Sequence, residues 1–360
     1  MYEKIGNKIS QEIISRVGAP ASLYSQFEAV NDFPGLLRAL RETEIAFANR
    51  ITVELAGYEL DKPISTQNDR SGIITDYAEV LFCAYEAVAT VTGAVPDPSG
   101  DLAAVVGTLS VAKPLARTPK TCDREVDFLN GVGNLLVLSL WVSSLSDPGR
   151  RLLTRLATTK KPLSIGTVYK SEPSSLLANP NAHGVNATAA ADAGQMTEEE
   201  DETQTRSRLA RIAPGHGGES VLSAPVHAPE LEEQWKIFET LSARDALIVI
   251  MRGSISFDAE GRPYYSPSRV ELMHELLHIH HNALGENRAN LPMNQKMRAV
   301  WKDAEEFWTI AAGDLTESDF AVDLGLPRRR SHSGLRLSGL DPRSADAQKS
   351  FRQHFEYLPD

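Results

Sequence analysis

His274-Glu275-Leu276-Leu277-His278 is the stretch on which the reading of this chain turns. Histidines four residues apart project from one side of an α-helix, and the carboxylate after the first lies beside them. Two imidazole nitrogens and a neighbouring carboxylate are the minimal set for zinc-assisted hydrolysis. Composition alone yields such a pentapeptide in on the order of one chain per hundred of this size, so the surroundings decide. They specify a helix. Pro267 discourages helix upstream, Ser268 is placed to cap it with Glu271 as the partner in a capping box, Val270 to Leu284 contain neither proline nor glycine, and Gly285 is placed to end it. Four of the nine histidines fall at 274, 278, 280 and 281. Burying that many imidazoles without a ligand or partner is costly, which favours a metal over a plain apolar helix.

A catalytic zinc takes three protein ligands and leaves one position open. Leu284 stands where a metzincin carries its third histidine, so a downstream carboxylate is needed. Asp303-Ala304-Glu305-Glu306-Phe307-Trp308-Thr309-Ile310 offers two. Met297, Val300, Trp301, Ala304, Trp308 and Ala311 recur at helical spacing, which predicts one amphipathic helix. On its wheel Glu306 lies away from the apolar stripe and Glu305 at the margin, so the residues alone leave open which glutamate binds and whether either is merely solvated.

Three ordered blocks then resemble a family. His274-Glu275-Leu276-Leu277-His278-Ile279-His280-His281-Asn282-Ala283-Leu284-Gly285 and Glu305-Glu306-Phe307-Trp308-Thr309 are similar to the H-E-L-x-H-x-x-H-x-x-x-G and E-E-x-x-T pair of NleD-type effector metalloproteases and, more distantly, clostridial neurotoxin light chains. Leu315-Thr316-Glu317-Ser318, followed by Gly325-Leu326-Pro327-Arg328-Arg329-Arg330-Ser331-His332-Ser333-Gly334, resembles the L-T-E-N and G-L-P-x-R-x-S-Y-S-G segments of the effectors. Gly149-Arg150-Arg151-Leu152-Leu153 resembles their upstream G-x-x-L-L opening, so the likeness covers about the second half of the chain.

The resemblance implies that His274, His278 and Glu306 bind one Zn2+, that Glu275 is the general base, that Glu305 supports the ligands from behind, and that Arg329 helps hold the oxyanion. His332 replaces the family's tyrosine; an imidazole N–H can donate to an oxyanion, but its charge varies around neutral pH as a phenol's does not. His281 shares the helical face of the ligand pair and suits a hydrogen bond that orients a ligand or meets Glu305. The implied reaction is hydrolysis of a peptide bond in a host protein, stress-activated MAP kinases being the substrates of the family. The implied partners are that protein substrate and a secretion chaperone, and the implied route leads from the bacterial cytoplasm to the host cell cytoplasm. Two readings stand beside it: a metalloprotease toxin with another protein substrate, and a helical interaction protein whose H-E-x-x-H is incidental.

Composition bounds the rest. The chain has 360 residues, of which 42% are hydrophobic, enough for a proper core in one large domain or two. Its net charge of −11, and the absence of a sustained basic run with interleaved aromatics, argue against nucleic-acid binding. Two cysteines, Cys83 and Cys122, are too few for a disulfide framework and fit a reducing compartment. Met1 to Gly6 opens no apolar segment of the Sec kind, and the apolar run Val132 to Leu145 is too short and interrupted to span a bilayer, so a soluble protein is expected.

The expected fold is α+β, a zincin-like metallopeptidase domain behind a mainly α-helical domain. Residues 1–123 carry helical periodicity at Ile5, Ile9, Ile13 and Ile14, at Ala29 to Asn49 and at Tyr77 to Val91. The metalloprotease domain is assigned 124–334, opening on a helix from Val126 to Leu145. Within it Leu163 to Tyr169 reads as a strand, and 171–214, with its acidic run Glu198 to Glu202, as a flexible insertion. Pro229 to Leu241 reads as a helix, Leu247 to Met251 as a buried strand and Ser254 to Phe257 as another, one of the two being the edge that meets substrate. Residues 335–360 form a polar tail.

Overall fold

The computed structural model describes residues 33–61, 100–111, 122–159, 163–168, 186–189, 220–225, 253–258, 262–284, 286–288 and 291–332, with single positions between 78 and 86 and between 244 and 251. The periodicity noted before residue 33, the helix expected at Pro229 to Leu241 and the tail 335–360 lie outside the described residues, as does the insertion 171–214 apart from four of its residues.

Among the described residues the scaffold includes the helices α1 (Phe33–Asp61), α2 (Gly100–Thr108), α3 (Cys122–Ser143), α4 (Asp147–Thr159) and α5 (Ser268–Leu284). Three short ones, α6 (Gln295–Trp301), α7 (Ala304–Phe307) and α8 (Glu317–Asp323), follow. Strands β1 (Leu109–Val111), β2 (Leu163–Val168), β3 (Asn186–Ala189) and β4 (Ser220–Pro225) form a mixed sheet in the order β1-β2-β4-β3, in which only β3 runs antiparallel to its neighbour. A separate hairpin pairs β5 (Ser254–Phe257) with β6 (Pro263–Ser266), Ile255 opposite Tyr265.

Two expectations change here. The strand expected at Leu247 to Met251 is not seen at its described positions: Leu247 and Ile248 are helical, and the Met251 amide donates to the Leu247 carbonyl at 3.2 Å. A short apolar run does not distinguish a buried strand from a buried helical turn. Among the described residues the sheet edge beside α5 is β3, not Ser254–Phe257, which belongs to the hairpin.

Leu37, Leu40, Phe47 and Ile51 along α1 pack in one apolar cluster with Tyr264, Tyr265, Met273, Leu276, Phe320 and Leu324, so a continuous core runs across the boundary drawn at residue 123. Polar clamps follow the same route. Arg41 pairs with Asp323 at 2.9 Å, Thr52 Oγ1 accepts the Tyr265 amide at 3.0 Å, and Asn49 donates to the Leu324 carbonyl at 3.4 Å. Deepest is the ion pair of Glu44 with Arg269, whose side chains are 1% and 3% exposed and whose Nε–Oε2 distance is 2.6 Å. Because Arg269 is the second residue of α5, this pair fixes the start of that helix against α1.

The turn between α3 and α4 explains the glycine and leucines of the Gly149 to Leu153 segment. A Cβ on Gly149 would lie 1.9 Å from the Ser143 carbonyl oxygen, and Leu152 and Leu153 are buried. Helix α5 begins one residue earlier than the capping box implies: Pro267 holds the cap position, and its carbonyl accepts the amides of Val270 and Glu271. Among the described residues no helix is long and apolar enough to cross a membrane.

Candidate metal centre

Helix α5 is hydrophobic enough to be buried nearly all round, with Leu272, Met273, Leu276, Leu277 and Ile279 each at most 4% exposed. Its regular i, i+4 spacing brings the His274 and His278 rings edge to face, with centroids 4.6 Å apart and Nε2 atoms 2.9 Å apart.

The segment that meets them is not the single helix its periodicity predicts. Helix α6 stops at Trp301, and Lys302 adopts φ 68°, ψ −59°. The Asp303 amide bonds to the Trp301 carbonyl at 2.8 Å, which closes a γ-turn, a conformation that costs a non-glycine residue roughly 1–3 kcal/mol. Asp303 then caps α7, its carboxylate accepting the Glu306 amide at 3.0 Å. After Phe307 the chain widens into a π-helical turn over Trp308–Ala312, with the Gly313 amide on the Trp308 carbonyl. These breaks turn both glutamates inward. Glu305 and Glu306 are 3% and 8% exposed, whereas the wheel of a continuous helix leaves Glu306 away from the apolar stripe.

Glu306 Oε2 lies 3.3 Å from His274 Nε2 and 3.3 Å from His278 Nε2, and it is buried with no hydrogen-bond partner. His274, His278 and Glu306 are the one set of potential metal ligands that converges in this way among the described residues. Ligands about 2.0–2.2 Å from a tetrahedral zinc are separated by roughly 3.3–3.5 Å, so the triangle of 2.9, 3.3 and 3.3 Å fits that ion with small adjustments.

Each histidine is backed by a second carboxylate. His274 Nδ1 lies 2.8 Å from Glu317 Oε2 and His278 Nδ1 3.0 Å from Glu305 Oε1. An ionised carboxylate only accepts, so both Nδ1 atoms carry the proton and both Nε2 atoms are the ones left for a metal. Glu305 is held in turn by His281 Nδ1 at 2.6 Å, the Thr309 hydroxyl at 3.3 Å and the Arg288 amide at 2.8 Å. Glu317 follows the Thr316 turn, whose amide and hydroxyl both donate to Asp319, and is gripped by Arg329 at 2.8 Å.

Electrostatics agree with the donor set. Burial by itself disfavours a charged His274, and the charge of His278 opposes it too, yet the carboxylates of Glu306 and Glu317 beside it bring its pKa up to about 9. For His278 burial is likewise outweighed by Glu306 and Glu305, which raise it well above the usual imidazole range. Burial would raise Glu306, but the charges of His332 and His278 hold it well below the usual carboxylate range. Glu317 is lowered despite its burial by Arg329 and His274. The site thus prefers positive charge, as protons or as a metal ion.

Sequence-predicted residues fall as follows. Glu275 Oε1 is 4.0 Å from His274 Nε2, beside the triad. Arg329 reaches the site through Glu317, with Nε on the Ser331 carbonyl and Nη2 on the His332 carbonyl. Three of its five donors are therefore committed. His332 Nε2 stands 3.3 Å from Glu306 Oε1. His280 is turned away from the triad, and burial, with His281 and Arg155, pushes its pKa down to about 4. The site also includes Glu317, Thr309, Arg288 and Lys302, to which the sequence alone assigns no role; Lys302 Nζ lies 3.6 Å from Glu306 Oε1. Glu317 and Thr309 stand inside the quoted blocks; the Arg288 amide has no signal in sequence.

Comparisons with family models, with curated proteins and with solved structures found no match.

Proposed function

We propose that this chain is a zinc-dependent endopeptidase with a zincin-like α+β catalytic domain. The observation that carries the proposal is the buried, unpartnered Glu306 Oε2 facing two imidazole Nε2 atoms, with Glu275 beside them. His274, His278 and Glu306 would hold the ion. Zinc bound there supplies Lewis acidity toward water and the scissile carbonyl. Glu275 takes a proton from the attacking water and returns it to the leaving amine. Arg329, which Glu317 holds in place, would donate to the developing oxyanion. His332 stands in sequence where the resembled family carries a tyrosine, and its contact with Glu306 makes it a support of the third ligand as well.

An extended substrate would add to the open side of β3, which is an edge strand among the described residues and lies against α5. The substrate class follows the sequence resemblance: proteins of a host cell, stress-activated MAP kinases among them, reached by secretion of the effector kind.

Glu275→Gln removes the base and leaves all three ligands. Wild type and variant are expected to carry about one zinc per chain, and the variant to cleave at least 10²-fold more slowly. New protein termini that appear in cells expressing wild type, and not the variant, would identify substrates. A wild-type chain that takes up no zinc would favour the interaction protein; an active Glu275→Gln would remove the assigned base.

A further inference from the structure

Lys302 is the one non-glycine residue with positive φ among the described residues. Its γ-turn is set by neighbours on both sides: its own amide closes α6 on the Arg298 carbonyl at 2.9 Å, and Asp303 caps α7. The turn carries the Lys302 ammonium to 3.6 Å from Glu306 Oε1, the oxygen that His332 Nε2 also approaches at 3.3 Å. Glu306 Oε2, on the other side of the same carboxylate, faces the two imidazoles. The lysine side chain is 32% exposed, and an ion pair that much in water adds little to stability. Strained backbone clusters at functional sites, and this turn lies four residues before Glu306.

We infer that Lys302 is a positioning residue of the metal centre: together with His332 it occupies Glu306 Oε1, so that the carboxylate offers the metal one oxygen rather than two. The inference rests on the metal reading above. A carboxylate can bind a cation through either one or both oxygens. A catalytic zinc with three single-atom ligands keeps its fourth position open for water or substrate. A two-oxygen grip by Glu306 would fill that position. The ammonium and the imidazole act on the outer oxygen, and the γ-turn delivers the ammonium from four residues upstream without lengthening α7.

Cobalt(II) alone, added to the full metal-free chain, reports the difference, because its visible absorption is intense in four-coordinate sites and weak in five-coordinate ones. Wild type is expected to show the intense spectrum. Lys302→Met and Lys302→Gly are expected to lose several-fold in intensity, and Lys302→Arg to recover most of it. Lys302→Gly also accepts positive φ without strain, so its metal-free form should unfold at or above the wild-type temperature, which separates loss of the ammonium from damage to the turn. Wild-type spectra for both the methionine and the glycine variants would overturn the role of Lys302 while leaving the metal centre standing. Failure of wild type itself to take up cobalt would overturn both.

Discussion

The two strips that supply the proposed ligands are built on opposite principles. Helix α5 is seventeen regular residues, and two ligands follow from its geometry alone. Trp301 to Ala312 contains a helix end, a γ-turn, a capped single turn and a π-helical turn, and all of that irregularity serves one ligand and its support. Consecutive helical residues point in different directions, so the way the short turn α7 is set against α5 decides where each glutamate goes, Glu306 toward the imidazole Nε2 atoms and Glu305 toward the Nδ1 side.

The largest effect is expected where the regular strip is anchored. Glu44→Gln leaves Arg269 charged and buried beside a neutral partner, and chemical denaturation should show a loss of about 3–5 kcal/mol. Near-wild-type stability would mean that α1 is not what fixes the start of α5. Next come the supports of the two histidines. Glu317→Gln and Glu305→Gln should each weaken zinc binding by about 10–100-fold in chelator competition. The irregular strip is itself organised around Glu305, which takes four donors, so that variant should also lower the unfolding temperature of the metal-free protein more than Glu317→Gln. Equal losses would erase the contrast.

The smallest effect is a dependence on pH. His274 has its folded pKa raised to about 9 from an ordinary 6.5, so its contribution to metal-free stability is complete below pH 6.5 and is lost as pH rises through 9. Glu306, depressed on folding, contributes above the ordinary carboxylate range and loses its contribution only as pH falls through its lowered value. Thermal melts should therefore decline from pH 6.5 to 9 without zinc, while zinc binding strengthens over the same interval as the imidazoles give up protons. A metal-free melting temperature that rises toward pH 9 would contradict the charge balance of the site.

The sequence disclosed the regular strip far better than the broken one. His274, Glu275 and His278 were legible because spacing along a helix determines direction. The strand at Leu163, the strand at Ser254 and the helical stretch within 33–61 were legible from apolar periodicity. That same periodicity misled between Met297 and Ala311, since it records which residues are apolar and is blind to a γ-turn at a lysine. The choice between Glu305 and Glu306 depended on that turn, and only the resemblance favoured Glu306 beforehand. Strand β3, Asn-Ala-Thr-Ala, alternates over only four residues with alanine as its apolar member, too short and weak a signal to be found by pattern. Arg329 was placed near the site, but its grip on Glu317 joins residues whose packing no local rule describes.

The lengths of chain that these contacts close bear on the order of folding. The histidine supports join residues 27 and 43 positions apart, whereas the Glu44–Arg269 pair spans 225. Closure entropy grows by about 0.6 kcal/mol per doubling of loop length, so the longest of these closures costs about 2 kcal/mol more than the shortest. The ligand set is thus the local part of the molecule and the clamp to α1 the distant part. The lobe that carries the candidate ligands is expected to gather early, with docking of α1 as the later event that sets the helix in its final place.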